Sequence, residues 1–527
     1  MRRTASVAVA LAAMASGLVS AVPATAAGTP AASSSVDWTD CGTQNNPTMQ
    51  CATIEVPLDH SEPDGEQIGI AVNRIPGTAG TSQGPLLVNP GGPGGSGRGL
   101  AAYVARALPP DVASQYDVIG FDPRGVGQSE PALECAPGYF DATRPDSVPY
   151  SRDVLRENVE RAADFAADCA TRHAGVLEHI HTRNAARDMD AIRAALGAEK
   201  INYFGYSYGT YLGSVYGKLF PDHVRRMVLD SIVDPTAAWY EANINQNYAF
   251  DDRFKAFTAW IADHDATYGL GTDADKVEAL WYDVRTEMRT DPAEDVVGPA
   301  EFEESFLAGG YYNGYWPPMA EAFAAYVNDG DEQALLDLYD TFGKVTGTNG
   351  YSVYTAVECR DASWPRDWKT WARDAQHTYR KAPFLTWSNT WYNAPCAFWP
   401  HQGLQQMDVR NKDLPPVLLL QATEDAATPY SGGVKMHKLL KGSRLVVEED
   451  GGNHGISLGG NACVDRYLVD YLADGTLPAA HGGADATCET LPDPEPAGAS
   501  AQRLSTPQPS AARTDGAVLH HLIGQRR

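Results

Sequence analysis

The stretch NYFGYSYGTYLG, residues 202–213, sets Ser207 between two glycines, Gly205 and Gly209. The run before it, KINYFGY (200–206), is short and apolar and has the look of a buried strand. The run after it, YGTYLGSVYGKLFP (208–221), reads as a helix stopped by Pro221. A serine held this way between strand and helix is lifted out of the sheet on a sharp turn, at a helix N-terminus where negative charge is favoured. A side chain at Gly205 or Gly209 is expected to collide with the neighbouring strand or helix. Serine alone is a poor nucleophile, so the reading depends on whether the chain supplies a base, an acid and an oxyanion site in the right order.

Outward from this turn, strands and helices alternate. CATIEVPLD and QIGIAVNRI alternate apolar and polar residues, and GPLLVNP (84–90), YDVIGFD (116–122) and VRRMVLDSIV (224–233) are apolar runs bounded by turn residues. TRNAARDMDAIRAALG (182–197) reads as a helix with Thr182 or Asn184 as its cap and Gly197 at its end. This rhythm predicts an α/β fold around a mostly parallel sheet. It breaks after Asp234-Pro235, and residues 235–405 are helix-like and rich in Trp and Tyr. Strands return at LPPVLLLQATED (414–425) and SRLVVEEDGGNH (443–454). The expected organisation is a core over 37–234 and 406–490, split after the sixth core strand by a mainly helical cap of about 170 residues, far longer than a loop. Residues 491–527 are Pro-, Ala- and Ser-rich without periodicity and are expected to be disordered.

The net charge of −26 argues against a nucleic-acid partner, which calls for clustered Lys and Arg. Arg2 and Arg3, an apolar small-residue run and Ala24-Thr25-Ala26 form a secretory leader over residues 1–26, with cleavage expected after Ala26. The protein is therefore expected to be extracellular and, once the leader is removed, free of the membrane. Eight cysteines in an exported chain point to disulfides. Pairing of neighbours in chain order is expected: Cys41–Cys51, Cys135–Cys169, Cys359–Cys396 and Cys463–Cys488. The absence of a C-x-x-C spacing argues against zinc.

In the α/β-hydrolase arrangement a G-x-S-x-G serine is followed along the chain by an acid and then a histidine. Asp425, with Glu424 as its rival, ends a buried strand, and His454 sits in a glycine-rich loop after the last one. His454 would take the proton of Ser207, and Asp425 would orient the imidazole. NPGGPGGSG (89–97) follows a strand and offers backbone N–H groups. Gly91 or Gly92, together with Tyr208, is expected to form the oxyanion hole, while Pro93 has no N–H to give. Asp122 and Arg124 in GFDPRGVGQS are expected to pair and brace the site loops, and Asp230 and Asp234 to act as caps or turn residues. The route needs no metal and no organic cofactor.

Together NPGGPGGSG, FDPRGVGQS, GYSYGTYLG, FPDHVRRMVLD, YTAVECRDASWP and DAATP…NHG resemble the secreted bacterial tripeptidyl aminopeptidases, α/β-hydrolase serine peptidases related to prolyl iminopeptidases. The resemblance covers residues 37–490. It implies that Ser207, Asp425 and His454 are the triad, that the insertion caps the active site, and that tripeptides are released from peptides with a free N-terminus. Where prolyl iminopeptidases carry a His before Gly-Gly-Pro-Gly, this chain has Pro90, which speaks against removal of single prolines. A cationic terminal amine calls for carboxylates in the cap. Glu358 is preferred, then Glu241, with Glu303, Glu304 and Asp361 as further candidates. Tyr and Trp of AGGYYNGYWPP (308–318) could line a groove or pack the cap. A prolyl aminopeptidase-like or carboxylesterase activity with the same triad is the alternative; a non-catalytic binding protein fits least, because the site residues are all intact. The chain is expected to act as a monomer.

Overall fold

The structure, a computed structural model, describes residues 36–496 and 510–523. The leader expected over residues 1–26 lies outside them. Ten strands form one sheet: β1 Thr39–Asp40, β2 Gln50–Pro57, β3 Gln67–Ile75, β4 Gly84–Asn89, β5 Tyr116–Phe121, β6 Ile201–Tyr206, β7 Val224–Asp230, β8 Leu418–Ala422, β9 Arg444–Glu449 and β10 Ala486–Glu489. Their spatial order is β1-β2-β3-β5-β4-β6-β7-β8-β9-β10. β1, β2, β3 and β5 pair antiparallel in succession, and from β5 through β4 to β10 every pairing is parallel.

The central strands are apolar on both sides because both faces are covered. Leu87, Ile119, Phe121, Ile201, Tyr203 and Leu419 point into one layer of the core. Their alternates Leu86, Val88, Val118, Phe204, Tyr206, Leu418 and Leu420 point into the other. The period of two along each strand thus divides one apolar run between two helical layers.

Between β7 and β8 the elements are helical. Their aromatic side chains form a core of their own around Phe254, Trp281, Phe306 and Trp316. The long excursion between β5 and β6 is tied to these helices, although the sequence offered no sign of it. Arg285 of the insertion donates to Asp146 Oδ1 at 2.5 Å and to Glu303, and Arg144 pairs with Glu301 at 2.9 Å and Glu304 at 2.8 Å. Trp391 Nε1 donates to the Ser147 carbonyl at 2.6 Å. Arg285→Met would leave the buried Glu303 without a cation and Asp146 with Arg289 alone, and it is expected to lower the unfolding free energy by about 3 kcal/mol in a urea titration. Unchanged stability would mean that these ions are solvated.

The four disulfides are Cys41–Cys51, Cys135–Cys169, Cys359–Cys396 and Cys463–Cys488, the neighbour pairing read from the sequence. No helix among the described residues is long and apolar enough to cross a membrane. The expectation of disorder across 491–527 does not hold for residues 510–523, which form a helix. Its Leu519 and Ile523 reach the core layer beside Leu100 and Tyr206. Spacing of i, i+4 supplies the apolar stripe, which the Pro- and Ser-rich residues around it hid. Helix Thr182–Ala195 is capped by neither Thr182 nor Asn184: His181 is the N-cap, its Nδ1 accepting from Asn184 N–H at 3.2 Å.

Candidate active site

β6 ends at Tyr206, and the helix Tyr208–Leu219 begins one residue after Ser207. Ser207 itself sits at φ 57° and ψ −128°, a strained conformation for a residue with a side chain. Both flanking glycines are compelled by space. A Cβ on Gly205 would lie 2.5 Å from the Gly209 carbonyl oxygen, and one on Gly209 would lie 2.7 Å from that of Asn89. The strained turn is held from β7, since Ser207 N–H donates to the Asp230 carbonyl at 3.0 Å.

Asp425 and His454 meet beside this turn. His454 Nδ1 lies 3.0 Å from Asp425 Oδ1 and 2.9 Å from Oδ2, and both residues are buried. The rival Glu424 points away, paired with Arg253 at 3.1 Å and half-exposed. Asp425 also accepts from Thr428 N–H and from Thr428 Oγ1, each at 2.9 Å. Thr428 was missed in the sequence, although an Asp followed three residues later by Thr is a local turn pattern. On the far side of the ring, His454 Nε2 is buried with no hydrogen-bond partner. The backbone of the histidine is anchored by the cap, its N–H donating to the Tyr311 carbonyl at 2.8 Å.

Asp230 is neither a cap nor a turn residue. Fully buried at the end of β7, it accepts from Ile456 N–H at 3.2 Å and Ser457 N–H at 2.9 Å, and so fastens the loop that carries His454. Asp234 does behave as a turn residue, accepting from Thr236 N–H at 2.9 Å. Two more carboxyls, the half-buried Asp465 and the buried Glu448, hold the same loop. Asp465 accepts from Leu458 N–H at 2.6 Å, and Glu448 accepts from Asn461 Nδ2 at 2.6 Å. Burial, outweighing these hydrogen bonds, pushes Asp230 and Asp465 up to about 6 and Glu448 up to about 7. Each therefore keeps its proton in the folded chain at a pH where the unfolded chain, with values of 3.8 and 4.5, has lost it. Their contribution to stability is complete below those unfolded values and declines as pH rises through the folded ones. Thermal unfolding of Glu448→Gln should accordingly fall less between pH 5 and pH 8 than that of the natural chain (values chosen to span roughly the folded titration). Parallel curves would show that Glu448 is ionised throughout.

The glycine-rich loop after β4 lies against the serine. Gly91 has φ 103°, and a Cβ there would stand 2.7 Å from Ser207 Cβ. Its N–H is already given to Asn89 Oδ1 at 3.0 Å, so Gly91 is not available as an oxyanion donor. Gly92 and Pro93 are the loop residues that border the cleft with Ser207 and Tyr208, and of the two only Gly92 has an N–H. Tyr208 opens a helix, where the backbone N–H has no intrahelical acceptor. The expected Asp122–Arg124 pair does not form. Arg124 is buried against Asp188 at 2.6 Å, while Asp122 accepts from Gln128 N–H at 3.0 Å and faces Arg98 at 3.7 Å. Both therefore brace loops, each with a different partner.

Cap residues close the cleft: Trp239, Asn243, Gln246, Tyr311, Glu358 and Tyr392 line it. Of the carboxylates proposed for an amine, only Glu358 is among the lining residues; it is 4% exposed, and Asn243 Nδ2 donates to its Oε2 at 3.1 Å. Glu241 is exposed and outside the cleft, because the helix Tyr240–Asp263 turns its Asn243 face inward instead. Glu303 and Glu304 are taken by Arg285 and Arg144, and Asp361 by Thr182 N–H at 2.9 Å. Tyr311 lines the cleft, whereas Trp316 is packed inside the cap.

A serine on a strained strand-to-helix turn, with an Asp–His pair beside it on a parallel sheet, defines an α/β hydrolase. The family model described as alpha/beta hydrolase fold matches residues 84–286, and that of the TAP-like proteins matches residues 382–488. The chain is 45% identical over 481 residues to a tripeptidyl aminopeptidase of Streptomyces lividans, covering 88% of this chain and 89% of that protein. It is 34% identical to the serine protease Hip1 of Mycobacterium tuberculosis, over 84% of this chain and 89% of that one. A carboxylesterase B of the same organism is also 34% identical, over 86% of this chain and 90% of that one. The chain belongs to the tripeptidyl aminopeptidase family of α/β hydrolases.

Proposed function

We propose that this is an exported serine exopeptidase that releases tripeptides from the free N-terminus of peptides. The observation that carries the reading is Glu358, a buried carboxylate that lines the same cleft as Ser207. A buried carboxylate facing the cleft under the cap favours a cationic group, and a peptide's terminal amine is the cation an aminopeptidase must read. The adjacent Cys359–Cys396 disulfide keeps its helix in place. The likeness to an enzyme named tripeptidyl aminopeptidase supports the released length. The leader read over residues 1–26, together with four disulfides, supports export.

In the proposed reaction His454 Nε2 takes the proton of Ser207 Oγ as the oxygen attacks the scissile carbonyl. Asp425 and its Thr428 partner hold the imidazole with Nδ1 toward the carboxylate. The N–H groups of Gly92 and Tyr208 receive the oxyanion. Nε2 then returns the proton to the leaving amine, and water, deprotonated by the same nitrogen, releases the tripeptide from Ser207. The carboxylesterase reading uses the same triad and oxyanion donors, with an alcohol in place of the leaving amine, and is supported by the relative of that name.

Three substrates separate the readings: Ala-Ala-Pro-p-nitroanilide with a free amine, its N-succinylated twin, and p-nitrophenyl butyrate. Fast release from the free amine alone is expected. Equal cleavage of the blocked twin would point to an endopeptidase, and activity on the ester alone would sink the peptidase reading. Glu358→Gln is expected to weaken the free-amine substrate by about 2 kcal/mol in kcat/KM while leaving the ester alone.

A further inference from the structure

We propose that the wall of the cleft on the His454 side is the subsite for the part of the substrate beyond the scissile bond, an apolar groove that takes a peptide segment, and that the chain's own helix Ser510–Ile523 occupies it. The inference rests on the peptidase reading.

The helix is seated by one face. Leu519, His520 and Ile523 are 0%, 3% and 5% exposed, while Val518 on the other side is 42% exposed. Leu519 and Ile523 pack into the core layer that holds Leu100, Tyr103, Tyr206 and Leu458. The cap grips the helix as well. Tyr315 Oη donates to the Ala517 carbonyl at 3.2 Å, and the His520 ring stacks on Tyr312 with centroids 4.0 Å apart. Ile523 reaches furthest in: it lines the cleft together with Ser207, Tyr208 and Gly92. Its Cδ1 lies 2.1 Å from the point where a Cβ on Gly455 would stand, so this residue, next to His454, is a glycine that admits the intruding side chain.

The direction of the chemistry says what this space is for. His454 Nε2 must protonate the amine of the departing peptide, so the first residue past the scissile bond starts within hydrogen-bond reach of that nitrogen. The leaving peptide then runs out past the groups packed around His454. Those groups are Tyr311, whose ring stands edge-on to the imidazole at 5.4 Å, Gly455, and the Ile523 and His520 side chains of the helix. Burial, and then the charge of His454, holds His520 neutral with its pKa lowered to about 3, so the helix places no cation beside an imidazolium. Beyond the helix lies a second cavity, lined by Tyr315, Phe342, Ala517, Val518 and His521, and Tyr311 and Tyr392 border both spaces. The helix stands where the two would join.

A single aromatic leaving group needs little of that groove, whereas a peptide of several residues needs the helix displaced. The apparent affinity for the long substrate then falls by the fraction of molecules in which the groove is open. The test compares the full chain with Ile523→Glu and with a chain ending at residue 509. Each is assayed for kcat/KM on Ala-Ala-Pro-p-nitroanilide and on Ala-Ala-Pro extended by a six-residue peptide. The ratio of long to short substrate is expected to rise by about tenfold or more in both altered chains. A rise in either one suffices, because the ratio cancels any loss of folded protein. An unchanged ratio in both overturns the proposal and leaves the peptidase reading intact, since both peptides are still cleaved. Loss of both peptides with ester hydrolysis kept, already in the full chain, would overturn the peptidase reading instead.

Discussion

Ser207→Ala is expected to reduce kcat on the free-amine anilide by about a millionfold, and His454→Ala by a similar factor, with the double variant no lower than either alone. In the proposed reaction the two residues act as one unit. Without Oγ there is nothing to deprotonate, and without Nε2 the hydroxyl stays protonated at neutral pH. What survives would come from the oxyanion donors and from substrate binding, which neither change touches. The expectation rests on the strained φ of Ser207, the Asp425–His454 pair and a cleft lined by Ser207 itself; His454 Nε2 makes no hydrogen bond to Ser207 in the structure. The measurement is single-turnover kinetics on protein whose folding is checked by thermal unfolding. Multiplying losses in the double variant would show that the serine and histidine act independently, and the acyl-enzyme route would fall.

Asp425→Asn is expected to lower kcat by about ten thousandfold, while Glu424→Gln stays within about twofold of the natural chain. The contrast follows from donors. Asp425 receives three: the N–H and hydroxyl of Thr428, and His454 Nδ1. An amide can accept at one oxygen only, and its NH2 must then face a donor or turn the imidazole into the other tautomer, with its proton on the nitrogen that should act as base. Glu424 faces Arg253 and solvent, so its charge is remote from the proton path. Comparable losses at both positions would mean that the acidic partner is shared, against the geometry.

The two carboxylates also mark how far local reading can go. Asp425 and Glu424 are neighbours in one loop, and strand rhythm alone cannot choose between them; the choice is made where the end of β8 meets the histidine loop after β9. Gly91 and Gly92 present the same limit. Both are glycines in a loop after a strand, and only the Asn89 side chain, taking the N–H of Gly91, separates them. Glu358 ranks above Glu241 on sequence, but it is helix phase that turns one into the cleft and the other to solvent. Asp230 comes at the end of a strand, so local pattern makes it a cap or turn residue. Its partners, Ile456 and Ser457, lie more than 200 residues away, beyond the reach of any local pattern.

Chain-local physics was enough for the class of the protein. The Gly-x-Ser-x-Gly turn, the period-two strands, the order Ser207, Asp425, His454 and the neighbour pairing of cysteines all depend on residues close in sequence or on order along the chain. Tertiary structure alone decided which donors and carboxylates border the cleft of Ser207, how the β5–β6 excursion is tied to the cap through Arg144 and Arg285, and that Ile523 of the helix Ser510–Ile523 lines that cleft. These depend on distances between segments that hundreds of residues separate, and on burial, which makes an ordinary Asp, Glu or Ile a hydrogen-bond partner or a cleft wall only once the chain has closed around it.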